Sequence, residues 1–107
     1  FFYTQMGYAD RGTLKELLVH LAEHNKPQEQ ELGVVPDSTI WHVVHDVSAG
    51  LGHIHRCGFV HLDVKPANLL ITEEGLVQIG DFGMAASIGS REDGHEGDTR
   101  YMADELL

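Results

Sequence analysis

A single cysteine, Cys57, stands in the 107-residue chain. No disulfide can close within it, and a reducing, intracellular setting is the expectation. Cationic side chains are also scarce: 7 Lys and Arg face 17 Asp and Glu, for a formal net charge of −10. Such a balance repels phosphate backbones and anionic lipid, which argues against a nucleic-acid partner or a membrane contact for this segment. No apolar run reaches the length that spans a bilayer, and no secretory leader is in view. This leaves open an anchor in a longer parent protein. The chain is short as well, enough for one modest core.

What is present is ordered. Phe1 to Gln5 is aromatic and β-branched and reads as a strand, broken afterwards by Gly7, Gly12 and the Asp10–Arg11 charge pair. Thr13 is a good helix N-cap, and Glu16 three residues on completes a capping box. Leu14, Leu17, Leu18 and Leu21 follow at helical spacing, with the helix expected to end between Glu23 and Asn25. Lys26 to Gly33 reads as a solvated acidic loop that serves solubility. Pro36-Asp37-Ser38 opens a long helix whose Ile40, Val43, Val44, Val47, Leu51 and Ile54 predict a core-facing stripe. Gly50 and Gly52 weaken that helix and are expected to admit another segment at close range. Gly58 suits the position just past its end.

The chain holds eight histidines. His20 with His24, or His42 with His45, has the one-face spacing of a zinc pair, but no carboxylate or cysteine completes either at a familiar interval. Solvated or capping histidines are the preferred reading.

From Phe59 onward the pattern is strand, loop, strand, turn, strand. Leu69-Leu70-Ile71 and Leu76-Val77-Gln78-Ile79 flank Thr72-Glu73-Glu74-Gly75, a four-residue hairpin turn. The hairpin should bring Asn68 and Asp81 to adjacent strand ends. The loop before it runs His61-Leu62-Asp63-Val64-Lys65-Pro66-Ala67-Asn68, and after it comes Asp81-Phe82-Gly83. Phosphoryl transfer asks for this inventory: a carboxylate to orient the attacking hydroxyl, a cation at the γ-phosphate, and an amide with a second carboxylate as hard ligands for Mg²⁺. Asp63 is the expected general base, Lys65 offsets developing charge, and Asn68 and Asp81 hold the metal. Phe82 is expected against His61, and Gly83 where the backbone reverses.

The order H-x-D-x-K-x-x-N, then D-F-G, resembles the catalytic core of eukaryotic protein kinases. The implied fold is α+β and two-lobed, this chain being a fragment with the hinge and the N-terminal half of the mainly helical large lobe. By the resemblance, residues 1–12 are the last small-lobe strand and hinge, and 13–58 are large-lobe helices. Residues 59–83 carry the catalytic loop, hairpin and D-F-G turn, and 84–107 the activation segment. Met6 would be the gatekeeper behind the adenine of ATP. The Gly7 carbonyl and the Ala9 amide and carbonyl would pair with the adenine edge, with Leu70 as its apolar floor.

The run Glu96-Gly97-Asp98-Thr99-Arg100-Tyr101-Met102-Ala103, with the catalytic loop upstream, is similar to the Wee family of mitotic-inhibitory kinases and its membrane-associated Myt branch. That resemblance implies a cyclin-dependent kinase as protein substrate, phosphorylated in its glycine-rich loop. It implies a nuclear or cytoplasmic setting, with membrane association of a Myt-like parent left open. A Ser/Thr kinase of another family and an inactive pseudokinase scaffold are the alternatives.

Three positions depart from common kinase patterns. Leu62 replaces the Arg that usually precedes the catalytic Asp, Asp98 replaces a Thr and is expected to pair with Lys65, and Asp104 replaces the Pro before Glu105. The chain lacks the glycine-rich loop, the strand Lys and its Glu partner, so residues 1–107 alone are expected to bind ATP weakly and transfer no phosphate.

Overall fold

The first helix begins as its capping box dictates. The Thr13 amide donates to Glu16 Oε2 at 2.9 Å, and the Glu16 amide donates to Thr13 Oγ1 at 3.2 Å. Two N–H groups that a helix start leaves without partners are thereby satisfied. The computed structural model describes residues 7, 9–24, 35–89 and 99–101. The strand expected over Phe1–Gln5, Met6, the Lys26–Gly33 loop, Asp98, Asp104 and Glu105 lie outside the described residues.

Helix α1 spans Leu14–His24 and helix α2 spans Asp37–Arg56. Gly58 follows α2 with φ +84°, a left-handed turn that glycine adopts without strain. Strand β1 (Phe59–Val60) leads into the polar loop, which ends in a single 3₁₀ turn at Pro66–Asn68. Strands β2 (Leu69–Ile71) and β3 (Val77–Ile79) form the hairpin, with Leu69 opposite Ile79 and Ile71 opposite Val77. Strand β4 (Ala86–Ser87) returns antiparallel to β1. A second 3₁₀ turn covers Thr99–Tyr101.

The core lies where α2 crosses the hairpin, and its buried apolar members are Ile54, Leu69, Ile71 and Val77. A Cβ on Gly50 would stand 3.0 Å from Ile79 Cδ1, so this glycine does admit the hairpin at close range. Gly52 does not: the near neighbour there is Arg56 of its own helix.

The stripe on α2 is only partly core-facing. Ile54 is buried and Val43, Val47 and Leu51 are half-buried, but Ile40 and Val44 are 49% and 46% exposed. Helical spacing reports which residues share a face; it does not say whether a neighbour covers that face along its whole length. Among the described residues, no helix is long and apolar enough to cross a membrane.

The segment before α1 is hydrogen-bonded to the hairpin. The Arg11 amide donates to the Ile71 carbonyl at 3.1 Å, and the Ile71 amide donates to the Gly12 carbonyl at 2.8 Å. Thr13 also bridges Leu70 in antiparallel fashion.

Asp46 on α2 clamps the hairpin from the other side. Its Oδ2 accepts the Val77 amide at 2.9 Å. His45 Nδ1 lies 3.0 Å from Oδ1, and His42 Nε2 lies 3.4 Å from Oδ2 and 3.1 Å from the Gly75 carbonyl. A carboxylate therefore does meet both histidines, by a pairing the interval reasoning missed. It serves as hydrogen-bond acceptor, and among the described residues no three such side chains converge as a metal site. The Val77 amide, then the His45 imidazole, hold the Asp46 carboxyl below the usual carboxylate range. A depressed folded-state pKa contributes stability that is present above the unfolded value and is lost as pH falls through the folded one. Replacing Asp46 by Ala should therefore lower domain stability by about 1–3 kcal/mol at neutral pH. Denaturant titrations at a series of pH values should show the gap to wild type shrinking below about pH 4, the ordinary carboxylate range.

Candidate active site

The site is assembled on a buried histidine. His61 follows β1 directly and is 2% exposed. The Asp63 amide can only donate, so His61 Nδ1, 3.3 Å away, is the acceptor. The proton then sits on Nε2, which donates to the Gly80 carbonyl at 2.9 Å. One side chain thus joins the catalytic-loop backbone to the backbone just before Asp81. The Phe82 ring meets the imidazole edge-on, with centroids 5.1 Å apart and planes at 66°. That contact agrees with the expected packing.

The chain turns sharply on both sides of this histidine. Leu62 has φ +63° and Asp81 φ +56°, both in the left-handed region. Such a conformation costs a leucine about 1–2 kcal/mol and an aspartate less, because its short polar side chain tolerates it better. At Leu62 the turn brings the Asp63 amide back to His61, while the leucine side chain remains exposed. The backbone reverses at Gly83 as expected, in a turn closed by the Ala85 amide on the Phe82 carbonyl at 3.0 Å, and the left-handed residue beside it is Asp81. The Gly83 amide donates to Asp81 Oδ1 at 3.2 Å, and a Cβ on Gly83 would stand only 3.2 Å from that oxygen. A side chain there would require the Asp81 carboxylate to shift by a few tenths of an ångström.

Asp63, Lys65 and Asn68 converge. Asn68 Nδ2 donates to the Asp63 carbonyl at 2.8 Å and to Asp63 Oδ2 at 2.9 Å. Lys65 Nζ approaches the same Oδ2 at 2.8 Å. The 3₁₀ turn produces this meeting, since the Asn68 amide closes on the Lys65 carbonyl at 2.8 Å. The Asp63 side chain is 10% exposed, so its charge is held by direct partners with little bulk water. With its amide nitrogen committed to Asp63, Asn68 has Oδ1 as the atom suited to a cation.

The hairpin brings the backbone just before the second carboxylate residue to that of Asn68. Its ladder extends one step past β2 and β3, the Gly80 amide donating to the Asn68 carbonyl at 2.8 Å. Asp81 is the next residue. An amide oxygen and a carboxylate at one strand end are hard donors that fit Mg²⁺. Leu70 lies against Gly80, where a Cβ would come within 2.9 Å of its Cδ1. Gly7 is exposed, Ala9 is half-buried, and the Ala9 carbonyl accepts the Gly12 amide at 3.3 Å, which leaves it one lone pair.

Sequence reasoning treated His61 only as a neighbour for Phe82 and missed its hydrogen bonds. A signal was available: a polar side chain in the run Phe59-Val60-His61-Leu62 is buried at a cost unless both of its ends are satisfied.

A carboxylate held by an amide and an ammonium, followed by a second carboxylate just past a hairpin, matches the inventory expected for phosphoryl transfer. Comparison with known families names it. The model described as "Protein kinase domain" matches residues 1–107, and the chain belongs to that family. It is 43% identical over 105 residues to a probable protein kinase of Dictyostelium discoideum, covering 98% of this chain and 28% of that protein. It is 38% identical over 109 residues to the mitosis inhibitor protein kinase wee1 of Schizosaccharomyces pombe, covering 100% of this chain and 11% of that protein. With the membrane-associated tyrosine- and threonine-specific cdc2-inhibitory kinase wee-1.3 of Caenorhabditis elegans it shares 31% over 80 residues, covering 72% and 12%. The chain thus spans 28% or less of the length of these relatives.

Replacing His61 by Leu removes a donor and an acceptor while keeping an apolar volume. The Asp63 amide and the Gly80 carbonyl would lose their partner, which should destabilise the domain by about 2–4 kcal/mol. Thermal unfolding of the domain checks this. A loss below about 0.5 kcal/mol, the level of an ordinary surface change, would contradict the keystone role.

Proposed function

We propose that the protein containing this chain transfers the γ-phosphoryl group of ATP to a protein hydroxyl. Its substrate is proposed to be a cyclin-dependent kinase, inhibited at mitotic entry as in the Wee/Myt-like kinases. The observation that carries this reading is the shared oxygen of Asp63, held at 2.8 Å by Lys65 and at 2.9 Å by Asn68. The mitosis-inhibitor and cdc2-inhibitory names of two relatives support the choice of substrate.

In this reading Asp63 accepts a hydrogen bond from the attacking hydroxyl and holds it in line with the phosphorus. Its contacts with Lys65 and Asn68 fix the carboxylate before substrate arrives, so little reorganisation is needed during reaction. Lys65 sits where charge grows on the transferred group. Asn68 Oδ1 and the Asp81 carboxylate would hold Mg²⁺, which when bound supplies charge neutralisation at the phosphates. In the same reading Gly7, Ala9 and Leu70 serve the adenine, and Met6 is the gatekeeper residue.

Full-length wild type and Asp63→Asn, each incubated with Mg-ATP and a cyclin-dependent kinase, test the proposal. The substitution should lower kcat by about 10²–10⁴-fold with the KM for ATP little changed. Peptide mapping should place the wild-type phosphate on tyrosine or the adjacent threonine of the glycine-rich loop. Phosphate on serine or threonine elsewhere would favour a Ser/Thr kinase of another family, and an unchanged rate in the variant would remove Asp63 from the chemistry.

Leu62 generates a second expectation. An exposed leucine offers no charge to a phosphorylated activation segment, where many kinases place an Arg. Phosphatase treatment of the full-length protein should leave its activity within about twofold, a difference of ~0.4 kcal/mol. Abolition of activity would contradict this.

A further inference from the structure

The hairpin that leads to Asp81 is gripped along both of its edges. Its register makes Ile71 and Val77 a pair without mutual hydrogen bonds, since the ladder bonds fall at Thr72–Leu76 and Asn68–Gly80. In such a pair each residue turns its amide and carbonyl away from the other. Ile71 donates its amide to the Gly12 carbonyl, and its own carbonyl accepts the Arg11 amide. Val77 turns its amide the opposite way, to Asp46 Oδ2 at 2.9 Å. On that edge Asp46 stands where a further strand would stand.

The grip comes from a distant element. Asp46 lies on α2, 31 residues before Val77, and its side chain is 12% exposed. The Val77 amide is the first cause that holds its carboxyl below the usual carboxylate range, so an anion accepts this bond at neutral pH. One helical turn earlier, His42 Nε2 lies 3.1 Å from the Gly75 carbonyl, which can only accept, so the imidazole donates. Two side chains of α2 thus fix the backbone where it leaves the hairpin turn. From Val77 the strand runs through Gln78 and Ile79 to Gly80, whose amide meets the Asn68 carbonyl, and the next residue is Asp81. A shift of β3 at Val77 is therefore a shift of the backbone that carries Asp81.

We propose that Asp46 is a positioning residue for the metal side of the site, fixing β3 against α2 and thereby the place of Asp81 relative to Asn68. The inference rests on the kinase reading and adds to it a residue that touches neither nucleotide nor metal.

Full-length wild type is compared with Asp46→Ala, Asp46→Asn and Ile54→Val. Asn keeps an oxygen of the same reach for the Val77 amide and Ala does not, while Ile54→Val loosens the core of α2 without touching that bond. Asp46→Ser, shorter in reach, serves as a second removal. Hydrogen exchange without metal or nucleotide gives the first reading. The Gly80 amide, whose own acceptor is untouched, should exchange about tenfold faster in Asp46→Ala relative to the amides of α2, and at the wild-type rate in Asp46→Asn.

Kinase assays over a Mg²⁺ series give the second. Half-saturating Mg²⁺ should rise about three- to tenfold in Asp46→Ala, below or at the low end of what loss of a direct partner of a metal ligand costs. The kcat at saturating Mg²⁺ should stay within about twofold, and Asp46→Asn should restore the wild-type Mg²⁺ dependence. A residue that served stability alone would reduce the folded fraction and leave the half-saturating concentration in place, the behaviour expected of Ile54→Val.

An unchanged half-saturating concentration in both Asp46→Ala and Asp46→Ser would overturn the inference and leave the kinase reading intact. So would an equal rise in Ile54→Val, or Gly80 exchange that follows the α2 amides in every variant. Phosphate transfer by wild type to no protein substrate would overturn the kinase reading and the inference together.

Discussion

Two loops far apart in sequence are held as one by the His61 imidazole. Its acceptor nitrogen takes the Asp63 amide and its donor nitrogen serves the Gly80 carbonyl, 19 residues downstream. A ring buried to 2% exposure can satisfy both ends only if both loops are in place. The positions of Asp63 and Asp81 therefore depend on a residue that carries none of the proposed chemistry. The left-handed turns at Leu62 and Asp81 are the backbone's accommodation to that bridge, and the strain at Leu62 is tolerated because the surrounding bonds over-determine it.

The hairpin supplies the rest of the geometry. With Leu69 opposite Ile79, the ladder's next pair is Asn68 with Gly80, and Asp81 follows. A slip of one residue would turn every side chain of one strand to the other face and carry Asp81 away from the amide. Register is pinned by the burial of Leu69, Ile71 and Val77, by the packing of β3 on α2, and by the Asp46 carboxylate on the Val77 amide. Gly50 lets α2 approach closely enough for these contacts.

Much of this was legible in the residues themselves. Asp63, Lys65, Asn68 and Asp81 could be named because phosphoryl transfer needs those groups in that order, and the hairpin turn explained their meeting. Helix limits were legible for local reasons, the Thr13–Glu16 capping box at one end and Gly58 at the other. Long-range pairings were not. Asp46 finds its partner 31 residues away, and nothing local to Val77 marks its amide as needing a carboxylate. The left-handed turns were hidden too, because neither Leu62 nor Asp81 carries a local sign of one. Periodicity placed the apolar stripe on α2 but could not say that Ile40 and Val44 stay exposed.

The bonds between the segment before α1 and β2 give the small sheet a further meaning. Arg11, Gly12 and Thr13 occupy the side of β2 that β3 leaves open, so this strand presents no bare row of amides and carbonyls to a second molecule. The same three residues join the segment that precedes α1 to the strand that begins directly after Asn68. A hydrogen-bonded ribbon thus runs from the segment before α1 through Leu70 and Ile71 to the neighbourhood of Asn68. In the proposed reading, the adenine-side and metal-side residues share this one element.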